Sequence, residues 1–152
     1  MIRKIILNVV LLFMFQSVNA QILKPIKWSF AIKNLGNSEA IVFIKATIDG
    51  GWHIYSQKQV VGGPVATHIS FFKSKEFDMI GKILEPKPIQ KYDQIYKMNV
   101  FYFEREVVFQ QRIKLKSTSG LLKGSLEYMA CDNNRCIPPD EIEFNIPLNN
   151  VK

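Results

Sequence analysis

The chain has 152 residues, 47% of them hydrophobic and 22% charged, and its 20 basic and 13 acidic side chains give a formal net charge of +7. That length fits one domain, with no internal repeat and no low-complexity linker. Lys33, Lys45, Lys58, Lys73, Lys82, Lys97, Lys114 and Lys123 are scattered rather than gathered among aromatics, so the charge reads as a solvated basic surface, and no nucleic-acid partner is expected.

In chain order, the first element is a leader. Arg3 and Lys4 precede an apolar run from Ile5 to Phe15, and Ser17-Val18-Asn19-Ala20 offers compact residues where a signal peptidase reads. Residues 1–20 therefore read as a secretory signal cut after Ala20. The run is short and interrupted by Asn8, against the roughly 20 apolar residues of a spanning helix, an uncleaved anchor being the alternative. No cysteine follows the cut, so neither a lipoprotein anchor nor a stable membrane anchor is expected. Without the leader, residues 21–152 carry 18 basic and 13 acidic side chains, a formal +5. About 130 residues bury close to two-thirds of their unfolded surface, enough to stand without a disulfide.

Beyond the leader the apolar spacing is two, which predicts an all-β protein. Strands are expected at Lys27–Lys33, Ala40–Asp49, Trp52–Ser56, Thr67–Phe72, Phe77–Ile83, Val100–Phe103, Glu106–Lys116, Gly124–Ala130 and Ile142–Leu148. In the clearest, Val107, Phe109, Ile113 and Leu115 share one face with Gln111 as the exception, while Gln110, Arg112, Lys114 and Lys116 share the other. Pro147 places the last strand at a sheet edge. Turn signals stand between them at Asn34–Asn37, Asp49–Gly51, Gly62–Pro64, Glu85–Pro88 and Ser117–Gly120. Short strands so punctuated predict an immunoglobulin-like β-sandwich, with an up-and-down barrel as the alternative. Gly81 to Asn99, with two prolines, reads as the longest irregular stretch, free to lie over another part of the surface.

The only two cysteines, Cys131 and Cys136, flank the polar turn Asp132-Asn-Asn-Arg135 and are followed by Pro138-Pro139. If the flanking strands pair antiparallel, the cysteines face each other within the roughly 4.4–6.8 Å Cα separation of a disulfide. As a staple such a bridge is weak: closing about six residues is worth about 2 kcal/mol in the chain-entropy model, against nearly 5 for about a hundred. Redox exchange is therefore set ahead of a structural clip. Arg135 beside Cys136 favours its thiolate and Asp132 beside Cys131 opposes ionisation there, which makes Cys136 the nucleophile. The double proline removes two amide donors, so ordinary ladder pairing stops there.

Other chemistries find little support. Nothing in the spacing brings His53 and His68 to the cysteines as a zinc site, so no metal is expected. A Cys-His hydrolase would lose its nucleophile to the neighbouring cysteine in an oxidising space. There is no Gly-rich phosphate loop, Gly-x-Ser-x-Gly elbow or His-Glu-x-x-His helix.

From Trp28 to Leu148 the chain resembles the N-terminal periplasmic domain family of the thiol:disulfide interchange protein DsbD. Leu126-Glu-Tyr-Met-Ala-Cys-Asp-Asn-Asn-Arg-Cys-Ile-Pro-Pro139 carries the resemblance, supported by Asp49-Gly-Gly-Trp-His-Ile-Tyr-Ser56, Gly62-Gly-Pro-Val-Ala-Thr67 and Tyr92-Asp-Gln-Ile-Tyr-Lys-Met-Asn-Val100. The resemblance implies an immunoglobulin-like sandwich that passes reducing equivalents between thioredoxin-like domains and periplasmic thiol proteins of a Gram-negative bacterium, with no cofactor. It also implies that Cys136 forms the mixed disulfide and Cys131 resolves it. Asp93-Gln94-Ile95-Tyr96 takes the place of a mobile cap loop, and Trp52, His53 and Tyr55 line the site, although aromatic core packing is an equal reading for Trp52 and Tyr55. The pattern departs at Gln94, where an acid is common, and at Ile95 and Tyr96, where a phenylalanine closes the cap. No membrane segment or thioredoxin-like domain follows before Lys152, so a separate membrane electron transporter of the DsbD type is the expected electron source. The alternative is a non-enzymatic accessory β-sandwich whose disulfide is a hairpin clip.

Overall fold

The structure is a computed structural model that describes residues 23–59 and 61–150, so the leader read over residues 1–20 lies outside the described residues. Ten strands follow in order: β1 (Ile26–Gly36), β2 (Glu39–Ile48), β3 (His53–Tyr55), β4 (His68–Phe71), β5 (Phe77–Leu84), β6 (Ile89–Asp93), β7 (Met98–Glu104), β8 (Glu106–Leu115), β9 (Leu121–Cys131) and β10 (Cys136–Pro147). Among the described residues the only helical element is a 3-10 turn at Leu148–Asn150. No helix among them is long and apolar enough to cross a membrane.

The strands form an immunoglobulin-like sandwich of two antiparallel sheets. One has the order β1-β2-β8-β5; the other runs β10-β9-β3-β7-β6, with β4 also pairing to β9. The β1–β2 hairpin turns on Asn37 and Ser38, both at positive φ (52° and 60°), the backbone a tight hairpin needs to match strand twist. β8 buries Val107, Phe109 and Ile113 against Val42, Ile44 and Ala46 of β2, and Ile54, Leu126 and Phe103 close the layer from the opposite sheet. β10 pairs with β9 alone, which leaves it the edge strand that Pro147 called for.

One departure from regular pairing and one close crossing have visible causes. Gln111 points into the core at 1% exposure, and its amide donates to the carbonyls of Ile80 (2.9 Å) and Arg112 (2.7 Å). Ile80 lies where the β5–β8 register shifts, so this side chain fills a break in the ladder. Gly124 allows a close crossing: a Cβ there would stand 2.3 Å from the Ser70 carbonyl oxygen and 2.4 Å from the Phe144 ring. Phe144 in turn packs between Phe30 (4.7 Å between centroids) and Phe71 (5.6 Å).

One expectation is corrected. Gly81 to Asn99 is not an irregular stretch, because β5 continues to Leu84 and Ile89–Asp93 pairs with β7 as a hairpin. What remains irregular is short, and Glu85 within it accepts hydrogen bonds from the Ser56 hydroxyl (2.6 Å) and the Gln57 amide (3.0 Å).

Candidate functional site

Strand alternation divides the six-stranded sheet between two tasks. On β9, Leu122, Leu126, Tyr128 and Ala130 enter the main core, and the alternate set that includes Met129 and Cys131 points outward. On β3, Ile54 faces the core and Tyr55 the outer side; on β7, Phe103 faces the core and Val100 and Tyr102 the outer side. The outward residues make a second cluster of Tyr55, Val100, Tyr102 and Cys131, with Tyr96, Met98, Met129 and Cys136 packed against it.

Cys131 and Cys136 are joined by a disulfide, with their Cα atoms 4.0 Å apart, somewhat inside the usual window. The Asp132 amide donates to the Arg135 carbonyl (2.9 Å), which makes that pair the hydrogen-bonded one. The cysteines then hold the adjacent non-hydrogen-bonded position, where facing residues of antiparallel strands come closest. Beyond Cys136 the β9–β10 register shifts between Ile137 and Asp140, across Pro138 and Pro139. The two sulfur-bearing residues differ in access: Cys131 is sealed at 0% exposure, and Cys136 is half-buried.

The Asp93–Tyr96 segment is the turn of the β6–β7 hairpin. Asp93 Oδ1 accepts the amides of Ile95 (2.7 Å) and Tyr96 (3.0 Å), and Lys97 closes the turn at φ 52°. Asp93 Oδ2 accepts from the Tyr55 hydroxyl (3.3 Å), and His53 Nε2 lies 3.3 Å from the same hydroxyl. Tyr96 turns inward: its ring meets Tyr55 edge-on (6.2 Å) and its hydroxyl donates to the sulfur of Met129 (3.1 Å). Ile95 stays 45% exposed, so Tyr96 is the aromatic of this turn that reaches the cysteine cluster. A cleft of about 710 Å³ opens beside the turn and hairpin, with Trp52, His53, Asp93, Gln94, Ile95 and Asp132 among its walls.

The electrostatics keep these groups in defined states. Burial, reinforced by the Asp93 carboxylate, pushes the Tyr55 phenol well above the ordinary range and raises that of Tyr96, so both remain neutral donors. Burial holds His53 below its ordinary value against the opposing pull of Asp93 and Glu104, which favours the uncharged ring at neutral pH. Asp132 accepts the amides of Asn134 and Arg135 (2.8 Å each), and these bonds, followed by the Arg135 charge, lower its pKa.

Arg135 sits differently from the sequence expectation. Its guanidinium pairs with Asp132 (3.5 Å) and lies 5.8 Å from the centre of the Trp52 ring. The two charges assigned opposite effects on the two cysteines therefore face each other at the turn, and burial distinguishes the two sulfurs. Trp52 packs against the main core while also lining the cleft. Sequence reasoning passed over Met129 and Met98. The signal was there for Met129, two residues before Cys131 on the same strand and hence on its face. Among the described residues no group of three or more His, Cys, Asp or Glu is placed to hold a metal.

The family model for the N-terminal region of the thiol:disulfide interchange protein DsbD matches residues 19–147. With the cysteine pair present, that match supports thiol:disulfide exchange in general. Among solved structures, the N-terminal periplasmic domain of ScsB from Proteus mirabilis is similar with a TM-score of 0.65 and 20% identity over 85% of this chain and 49% of that one. This chain thus spans about half the length of the ScsB chain. The reduced DsbD N-terminal domain of Neisseria meningitidis gives a TM-score of 0.50 and 18% identity, over 78% of this chain and 83% of that one. The complex between the DsbD and PilB N-terminal domains from the same organism gives 0.54 and 18%, over 83% and 88%. At these identities the likeness shows the fold. No curated protein matches the chain.

Proposed function

Since the chain belongs to the family of the N-terminal domain of thiol:disulfide interchange protein DsbD, we propose that it exchanges disulfides through Cys131 and Cys136 in the periplasm, carrying reducing equivalents from a thioredoxin-like donor to thiol proteins. A membrane electron transporter of the DsbD type is the proposed source of the electrons. The observation that carries this reading is the unequal access of the two cysteines within one disulfide: Cys136 is half-buried and Cys131 is sealed.

A donor thiolate attacks the Cys136 sulfur in line with the S–S bond and Cys131 leaves as thiolate; a second donor thiol then resolves the mixed disulfide, leaving the pair reduced and the donor oxidised. Toward a client the direction reverses. The Cys136 thiolate attacks the client disulfide, and Cys131 displaces the client by re-forming the Cys131–Cys136 bond, so the client gains two electrons and two protons overall. No cofactor takes part. The turn of Asp93, Gln94, Ile95 and Tyr96 acts as the cap, Tyr96 shielding the pair from adventitious thiols and Tyr55 anchoring Asp93. A protein partner agrees with the complex that the neisserial DsbD N-terminal domain forms with the PilB N-terminal domain.

The test is trapping. Cys131→Ala, exported in its native host, should retain a partner on Cys136 through a mixed disulfide that mass spectrometry identifies, and Cys136→Ala should largely fail to. Adducts from Cys136→Ala alone would reverse the roles, and adducts from neither variant would favour the hairpin clip.

A further inference from the structure

The two ends of the sandwich carry opposite charge. At the cysteine end, the cleft beside the Tyr96 turn sets four carboxylates, Asp49, Asp93, Glu104 and Asp132, against two cations, Lys91 and Arg105. β9 runs from Leu121 at the far end to Cys131 at this one, 11 residues and so about 30 Å. A second groove, of about 490 Å³, lies at the far end, with Phe72, Lys73, Lys75, Glu76, Leu121 and Lys123 among its walls. Here three cations face one carboxylate, which already accepts from the Ser74 hydroxyl. All three lysines are exposed, and among the described residues none of them makes an ion pair. Large apolar side chains stand uncovered between them: Phe72 (44% exposed) beside Lys73, and Leu121 (46%) two residues before Lys123. The loops are laced together, the Phe72 amide donating to the Lys123 carbonyl (2.9 Å) and the Lys116 amide to the Glu76 carbonyl (2.7 Å). The β1–β2 hairpin, which carries Leu35 at 44% exposure, ends beside them, its Ser38 carbonyl accepting from the Leu115 amide (2.7 Å).

We propose that this far end docks on an anionic phospholipid bilayer, with Phe72 and Leu121 entering the interface and Lys73, Lys75 and Lys123 lying against the headgroup phosphates. Interfacial binding scales with the apolar area that enters the lipid and with the attraction of cations to its charge, and this end supplies both. Lysine stems cover apolar surface while their heads stay in water, which lets the same side chains flank Phe72 and Leu121 and reach the phosphates. A fluid surface suits the patch better than a folded acidic partner. Its apolar tips alternate with lysines and form no contiguous apolar centre of the kind that a protein interface desolvates. The same anionic surface repels the carboxylates of the other cleft, so the charge sets the orientation: groove toward the lipid, and disulfide facing solution about 30 Å away.

The experiment mixes the mature protein with vesicles of phosphatidylcholine containing about one-third phosphatidylglycerol, and with vesicles of phosphatidylcholine alone, and measures the bound fraction by sedimentation. We expect binding to the anionic vesicles only, and its loss at about 0.5 M salt, where screening acts within a few ångströms. Near an anionic surface each lysine is worth about a fivefold factor, so Lys73→Gln with Lys75→Gln should weaken binding about 25-fold. Lys24→Gln with Lys27→Gln removes the same charge at the cysteine end, where the Pro25 carbonyl accepts the Asp49 amide, and should change binding by less than about twofold. Phe72→Trp reports the insertion: brominated phospholipid should quench its added fluorescence and leave the native signal of Trp28 and Trp52 in the wild-type protein unchanged. These readouts involve no thiol step, so they stand apart from whether the disulfide exchanges. No binding to the anionic vesicles at low salt, equal binding to both kinds of vesicle, or equal losses from the two lysine pairs would each overturn the proposal. Quenching of the native tryptophans would overturn it too, because it would bring the cysteine end to the lipid. Binding of soluble polyglutamate through Lys73 and Lys75, with none to vesicles, would assign the patch to an acidic protein instead.

Discussion

The inner and outer faces of the six-stranded sheet are built from the same strands, one residue out of step. Inward, Ile54, Phe103, Leu126 and Ala130 meet the opposite sheet and are closed to solvent. Outward, Tyr55, Tyr102, Met129 and Cys131 gather with His53, the Tyr96 turn and the hairpin, and Ile54, Phe103 and Ala130 each have an outward partner next to them in sequence. The difference teaches how an all-β domain can carry a disulfide outside its main core. Stability is held by one register of side chains and the proposed chemistry by the other, and the two are separated by the thickness of a backbone.

Breaking the inner face should cost stability and little else. Leu126→Ala removes a side chain with 0% exposure and should destabilise the domain by about 2–5 kcal/mol, read by urea denaturation, while disulfide reduction of the protein still folded keeps its rate. Gly124→Ala comes next. Its new Cβ runs into the Ser70 carbonyl and the Phe144 ring, and the expected loss is about 1–3 kcal/mol, checked the same way. If either variant left stability intact but altered exchange, the division between faces would be wrong.

On the outer face the order of effects reverses. Tyr96→Ala forfeits one aromatic contact and one weak hydrogen bond, so stability should fall by only about 0.5–1.5 kcal/mol. Alkylation of Cys136 in the reduced protein should nevertheless accelerate several-fold, as followed by iodoacetamide labelling and mass spectrometry. A small pH effect sharpens the picture. Burial lowers the folded-state pKa of His53 below the ordinary 6.5, so on acidification the unfolded chain takes up that proton first. The stability His53 allows is present above the unfolded value and is lost as pH falls toward the folded one. Denaturation midpoints should therefore decline as the pH falls below about 6.5, and His53→Gln should flatten that part of the decline. An unchanged slope would mean that His53 does not carry the dependence.

The period-two pattern of Glu106–Leu115 and Ile142–Pro147 was readable because each of these strands buries one face. β6 escaped for the opposite reason: Ile89, Gln90, Lys91 and Tyr92 are all exposed, so no alternation marks an edge strand introduced by Pro86 and Pro88. The cysteine pair was legible from its spacing and the double proline. The charge argument at the turn was not, because sequence neighbours reveal sign but not direction, and Arg135 spends its charge on Asp132. That Tyr96, rather than Ile95, turns toward the sulfurs depends on the Asp93 turn, a three-dimensional fact.

The central claim is that the Cys131–Cys136 bond is an exchanging disulfide and not a clip. Equilibrating the mature protein with redox buffers of graded potential, and quantifying the reduced fraction by thiol alkylation, measures this directly. The account predicts a midpoint above about −300 mV, within reach of thioredoxin-like donors; a midpoint well below about −300 mV, the range of structural disulfides in secreted proteins, would contradict it.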